Sequence, residues 1–206
     1  GNYADTNDMV LPYWDRSADA LTYKTYDDSA NTWSETAIAS SMVDSATVFP
    51  QFAAVVRPSD GHVLLFAWDG YDVATADLKC WDIIPGTSVT AKTDVVTNAD
   101  DCGAVAVILD TSNGYLYAFY LGLSDGSQVI GTTVGIYYKV SVDGGTNWGS
   151  EQVLHNAYLS DFRFITASPH IGQPTVLPVL WQDNATDELI TSAPKYPRAS
   201  SMVGIG

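Results

Sequence analysis

Apolar and polar positions alternate along this chain over short distances. Brief runs rich in Val, Ile, Leu, Tyr, Phe and Trp are separated by clusters of Asp, Asn, Gly, Ser and Pro, and no stretch carries the 3.6-residue apolar period of an amphipathic helix. β-Branched and aromatic residues suit a pleated, half-buried surface, and Gly and Asx residues suit the turns between strands. The pattern predicts short strands throughout and an all-β fold, with no helix longer than about two turns.

Four of the apolar runs resemble one another: "VLPYWD" (10–15), "VLLFAWDG" (63–70), "LYAFYLG" (116–122) and "VLPVLWQD" (176–183). With Trp14, Trp68, Leu121 and Trp181 taken as equivalent, the spacings are 54, 53 and 60 residues. Gly61, Gly114 and Gly172 each occupy a turn ahead of the last three. Ahead of those turns lie "FAAVV" (52–56), "AVAVIL" (104–109) and "FRFITA" (162–167). Downstream of each equivalent position comes another strand-like run: "ALTYKTY" (20–26), "DLKCWDI" (77–83), "GIYYKV" (135–140) and "DELITSA" (187–193). In the first three units a fourth run follows: "TAIAS" (36–40), "SVTAKTDVV" (88–96) and "EQVL" (151–154).

A unit of four short strands recurring about every 55 residues points to a β-propeller, or an arc of one, with about four blades of four antiparallel strands. The units predicted are approximately 1–45, 46–98, 99–156 and 157–206, together a single repeat domain. The first lacks room for its opening strand, with only "GNYAD" ahead of it, and the last has only "SSMVGIG" (200–206) as a closing one. Two outcomes are expected from such ends: a small closed ring, or strand edges that pair with further sequence or with another subunit as a homo-oligomer.

Between the third and fourth runs of the third unit lies "SVDGGTNW" (141–148). Ser141, Asp143, Gly145 and Trp148 fit Ser-x-Asp-x-Gly-x-x-Trp, and the chain thereby resembles the sialidase-like propellers with BNR, or Asp-box, repeats. "YDDSANTW" (26–33) is similar, keeping Asp28 and Trp33 but carrying Tyr26 and Ala30 where the motif has Ser and Gly. The expected role is structural: the carboxylate accepts from turn N–H groups, Gly supplies positive φ, and the Trp plugs the unit. Without a ladder of alternating oxygen ligands, a calcium site is not expected there.

The resemblance implies where to look for chemistry. Catalytic sialidases clamp a substrate carboxylate with three Arg and use a Tyr with a Glu partner and an Asp acid/base. This chain has four Arg: Arg16, Arg57, Arg163 and Arg198. Only Arg16 and Arg163 are expected on the substrate-binding face, and Glu35, Glu151 and Glu188 have no evident Tyr partner there. The same face is expected to collect "WDRSAD" (14–19), "WDGYD" (68–72), "LGLSDG" (121–126) and "WQDNATD" (181–187). Aromatic rings beside Asp and Asn suit a sugar, whose apolar face stacks while its hydroxyls find acceptors. Trp14, Asp15, Arg16, Trp68, Asp69, Tyr71, Asp72, Arg163, Trp181 and Asp183 are therefore the candidate ligand contacts. A competing reading has the three Trp packed between units. His155 near Asp161 is a His–Asp pair without a nucleophile.

Charge narrows the partners. Nine Lys and Arg against 24 Asp and Glu give a net charge of -15, which repels phosphate backbones and anionic lipid. No nucleic-acid or membrane partner is expected, no apolar run is long enough to span a bilayer, and no cofactor or metal motif is present. The function expected is a non-catalytic module binding carbohydrate or protein, at a cell surface, secreted or virion-associated. The alternatives are a glycoside hydrolase, truncated or completed by a partner, and a structural scaffold. Cys80 and Cys102 have no metal-ligand spacing, and two buried thiols are expected rather than a pair.

Overall fold

A computed structural model describes residues 9–42, 51–69, 76–99, 102–122, 135–155, 165–172, 177–183 and 188–192. Among them every regular element is a strand. In chain order these are β1 (Met9–Asp15), β2 (Ala20–Asp27), β3 (Thr32–Ser40), β4 (Phe52–Val56), β5 (Val63–Asp69), β6 (Ala76–Ile84), β7 (Ser88–Ala91) and β8 (Val96–Ala99). There follow β9 (Cys102–Asp110), β10 (Leu116–Gly122), β11 (Gly135–Ser141), β12 (Gln152–His155), β13 (Ile165–Ala167), β14 (His170–Ile171), β15 (Val179–Asp183) and β16 (Glu188–Ser192).

The strands make four open sheets. Sheet I is β1-β2-β3, sheet II is β4-β5-β6-β7 with β8 also on β6, sheet III is β12-β11-β10-β9-β14, and sheet IV is β13-β15-β16. All pairings are antiparallel except the short parallel contact of β14 with β9. Two departures from the sequence expectation have local causes. The single strand expected over 88–96 is two, β7 and β8, with Lys92 N–H and Val95 N–H donating to Cys80 and Leu78 carbonyls between them. The β14 segment, expected in the fourth unit, crosses to sheet III, where Thr111 N–H donates to the Ile171 carbonyl.

Consecutive sheets stack face to face, and alternate residues of one strand enter two different cores because successive side chains point to opposite faces. Leu64, Phe66 and Trp68 of β5 pack with Leu116, Ala118 and Tyr120 of β10. Their neighbours Val63, Leu65 and Ala67 pack instead with Leu21 and Tyr23 of sheet I. On the far side of sheet III, Tyr117, Phe119 and Leu121 meet Leu177, Val179 and Trp181. We call the face toward the preceding sheet the back and the face toward the following sheet the front. Strands buried on both faces read as unbroken apolar runs, which explains "VLLFAW" and "GAVAVIL".

The turns ahead of β5 and β10 superimpose in their bonding. Gly61 N–H donates to the Arg57 carbonyl at 2.9 Å, and Gly114 N–H to the Asp110 carbonyl at 2.8 Å, 53 positions later. Both glycines have positive φ, 74° and 80°. Trp14, Trp68 and Leu121 accordingly share the front face of their sheets. Trp181 does not: it lies on the back of sheet IV, in the place of Ala67 and Tyr120, because β15 runs two residues past it to Asp183. A slip of one residue turns a side chain to the other face, so the alignment of Trp181 with Trp68 is corrected by one position, to Gln182.

Candidate functional site

The antiparallel registers bring the start of each first strand beside the end of its neighbour: Phe52 pairs with Ala67, Cys102 with Gly122, and Ile165 with Trp181. The β1–β2, β5–β6, β10–β11 and β15–β16 connections therefore emerge at the end where β4, β9 and β13 begin. At that end a cavity of about 350 Å³ lies between these three strands, lined by Gln51, Phe52, Ala53, Val105, Ile165 and Thr166 among others. Small residues on all three strands (Ala53, Ala54, Ala104, Ala106, Ala167) leave the space.

None of the sequence-predicted contacts among the described residues lines this cavity, and they divide among themselves. Trp14 is half-buried and its Nε1 donates to Asp19 at 3.2 Å. The Asp15 carboxylate accepts from the Ser17 hydroxyl (2.6 Å) and Ser17 N–H (2.8 Å), bonds that hold it below the usual carboxylate range. Arg16 is exposed at the tip of the same turn. Asp69 stands 3.9 Å from Lys79, which also reaches Asp77 (3.0 Å) and Asp94 (3.1 Å). Trp68 and Trp181 are 0% and 2% exposed, packed between sheets, with the Nε1 of each lacking a hydrogen-bond partner among the described residues. A ring with no open face cannot stack on a sugar, so interior packing replaces ligand contact for these two. Tyr71, Asp72 and Arg163, and the side chain of Asp183, lie outside the described residues, as does Asp161; the His155 ring lies tilted by 38° against Trp181, with centroids 5.5 Å apart.

The 141–148 turn is a closed hydrogen-bonded unit. The Ser141 hydroxyl and Asn147 N–H donate to one Asp143 oxygen, both at 2.8 Å, and the Asn147 amide donates to the other at 2.7 Å. Partial burial pushes the carboxyl upward, but these bonds outweigh it and hold Asp143 below the ordinary range. Gly145 has φ 87°, and a Cβ there would sit 3.2 Å from Cys80 Sγ. Cys80 is a buried free thiol, pushed up to about 12 by that burial. Trp148 crosses to sheet II, its Nε1 donating to the Thr93 carbonyl (3.1 Å) and its ring meeting Phe66 edge-on at 6.0 Å. The Thr93 hydroxyl returns to the Thr146 carbonyl at 2.6 Å. A cleft of about 530 Å³ opens beside this clip, lined in part by Asp94, Lys139, Asp143, Asn147 and Trp148.

The similar stretch at 26–33 is built otherwise. Asp27, not Asp28, accepts the turn bonds, from the Ser29 hydroxyl at 2.7 Å and from Ser29 and Ala30 N–H. β2 and β3 continue directly through the Asp27–Thr32 pair, with Asn31 at φ 52° closing the hairpin. Trp33 is 49% exposed and leans on Tyr26 at 5.0 Å. The eroded-motif reading of Asp28 and Trp33 is thereby corrected: the extra space a plug needs is absent in a tight hairpin.

Two Tyr–Glu pairs had no signal in the sequence. Tyr120 donates to Glu151, both buried between sheets II and III, and Tyr13 donates to Glu35 on the exposed back of sheet I. On the opposite end, Asp82, 8% exposed, binds His62 at 2.7 Å and Arg57 at 3.3 Å, with Lys92 at 3.7 Å. Arg57 is thus held in a structural network rather than offered to a ligand.

No family model and no curated protein matches this chain. Among solved structures it is similar to the intramolecular trans-sialidase from Ruminococcus gnavus in complex with oseltamivir carboxylate, with a TM-score of 0.55 and 11% identity over 98% of this chain and 42% of that one. It is also similar to the NanB sialidase from Streptococcus pneumoniae, with a TM-score of 0.55 and 16% identity over 93% of this chain and 28% of that one. The chain spans less than half the length of either. The likeness shows a sialidase-like all-β fold.

Proposed function

We propose that this chain is an arc of four blades of a sialidase-like β-propeller, with units near 1–45, 46–98, 99–156 and 157–206, and that it binds glycans without hydrolysing them. The observation that carries the reading is the cavity of about 350 Å³ between β4, β9 and β13, lined by Phe52, Val105, Ile165 and small side chains of the three strands. Apolar walls with polar groups at the rim are the usual composition of a small-ligand site. Arg16, Asp69, Tyr71, Asp72, Arg163 and Asp183 are the groups proposed to bond sugar hydroxyls, with Trp14 the one Trp of the three retaining exposed surface. Against catalysis by the Tyr120–Glu151 pair stands its burial, at 0% and 2% exposure.

A glycan array probed with the intact chain tests binding, and a panel of fluorogenic glycosides tests turnover. Retention on the array without turnover is expected, and Ala53→Trp, which fills the cavity, should abolish retention while leaving the fold intact by circular dichroism. Turnover of any glycoside favours the second reading, a glycoside hydrolase, for which the fold likeness speaks. Silence in both assays favours a scaffold.

A further inference from the structure

We propose that the cleft of about 530 Å³ between sheets II and III is a second ligand site, built for a neutral pyranose. It shares no lining residue with the cavity between β4, β9 and β13 and stands independently of it. The registers set the two apart. Leu116 pairs with Ser141 where β10 begins and β11 ends, so the 141–148 turn stands at the end of the sheets opposite to the Cys102–Gly122 pair. The volume is within the range of about 300–1,000 Å³ usual for small-ligand sites. Its apolar lining includes the half-buried Trp148 and the exposed Val142, and its polar lining includes Thr93 from the β7–β8 link, Lys139 from β11, and Asp143 and Asn147 from the turn.

What selects the ligand is the mixture of donors and acceptors that the turn leaves unused. Asp143 Oδ1 already accepts from the Ser141 hydroxyl and from Asn147 N–H, whereas Oδ2 takes the Asn147 amide proton and keeps room for a second. The Asn147 amide oxygen has no hydrogen-bond partner among the described residues. The Thr93 hydroxyl donates to the Thr146 carbonyl and can still accept. Lys139 is 7% exposed and brings an ammonium, which only donates. An anion would face the Asp143 carboxylate and a chain of net charge -15. A cation would face Lys139. Sugar hydroxyls donate and accept alike, so a neutral pyranose uses both kinds of group, and its apolar face has the Trp148 ring. The groups are also fixed before a ligand arrives, since the turn is closed by its own bonds and Trp148 Nε1 is anchored on the Thr93 carbonyl at 3.1 Å. Little ordering cost then remains to be met on binding.

A nuclear magnetic resonance titration of the intact chain tests this, with the methyl glycosides of glucose, galactose, mannose and N-acetylglucosamine as probes and the Trp148 indole N–H as reporter. At least one of the four should shift that resonance saturably. Val142→Trp puts bulk on an exposed lining residue whose side chain makes none of the turn bonds, and it should abolish the shift, while Val142→Ala should keep it. Lys139→Met should weaken binding about tenfold by removing a charged donor. Circular dichroism should be unchanged for all three, and the two Val142 variants decide if Lys139→Met does not fold. Sodium glucuronate and glucosamine, one anionic and one cationic, should each bind more weakly than the best neutral glycoside. A resonance that no glycoside moves overturns the proposal, as does a saturable shift that survives Val142→Trp. Tighter binding of either charged sugar than of every neutral one overturns the neutral ligand. The cavity variant Ala53→Trp should titrate as the unsubstituted chain does. Array retention reads that other cavity, because the contacts of one weakly bound sugar do not survive washing, so failure there leaves this result untouched.

Discussion

Leu11 and Leu65 hold the same place in successive sheets, and one is 53% exposed while the other is fully buried. Two things differ: β1 is an edge strand paired with β2 alone, whereas β5 lies between β4 and β6, and Leu65 has sheet I packed on it while no described sheet lies against Leu11. The sequences record this: β5 and β10 are apolar on both faces, whereas the back of sheet I mixes Met9, Leu11, Tyr13 and Trp33 with Lys24 and Glu35. That composition is intermediate between a core and a solvated face.

The contrast can be broken most directly by truncating both leucines. Leu65→Ala should cost about 3–4 kcal/mol in a denaturant unfolding curve, through lost burial and the cavity left behind, while Leu11→Ala should stay within about 0.5 kcal/mol in the monomer. Equal costs would mean that the two faces are not in different environments. The two hairpin tryptophans sharpen the point: Trp148→Ala should lower stability by about 2–3 kcal/mol, through lost packing on Phe66 and the lost bond to Thr93, and Trp33→Ala by a few tenths. Asp143→Ala should cost about 1–2 kcal/mol because turn N–H and hydroxyl donors lose their acceptor, and Asp28→Ala almost nothing. The smallest effect is a titration. The hydrogen bond to Glu35 pushes the Tyr13 phenol up to about 12 from an ordinary value near 10. The neutral phenol is the form held, so the interaction is fully present below pH 10 and is lost as pH rises through about 12. Glu35→Gln should return this tyrosine toward 10, followed by tyrosinate absorbance.

Strand positions were legible because turn chemistry is local: Gly61 and Gly114 announce the same turn from sequence alone. The face of a strand was less so. In "VLPVLW" both faces are apolar, so period-2 alternation carries no sign of which one Trp181 takes, and only the length of β15 beyond it decides. The choice between Asp27 and Asp28 depends on where the hairpin closes, which Asn31 fixes by adopting positive φ. Of the candidate site, the connections with aromatic and acidic residues could be read from sequence. The cavity between β4, β9 and β13 could not, because its alanines look like ordinary strand filler until three strands are set side by side. Tyr120 and Glu151 are 31 positions apart with no pattern linking them.

Because sheet I packs on II, II on III and III on IV, the molecule is close to a one-dimensional array in which each member is stabilised only by its neighbours. Such arrays open from their ends. Amide hydrogen exchange should therefore be graded along the chain and not uniform: slowest in β5, β9 and β10, which have a sheet on either side, and fastest in β1 and β16. The backbone amides thus carry a record of sheet order that no single side chain does.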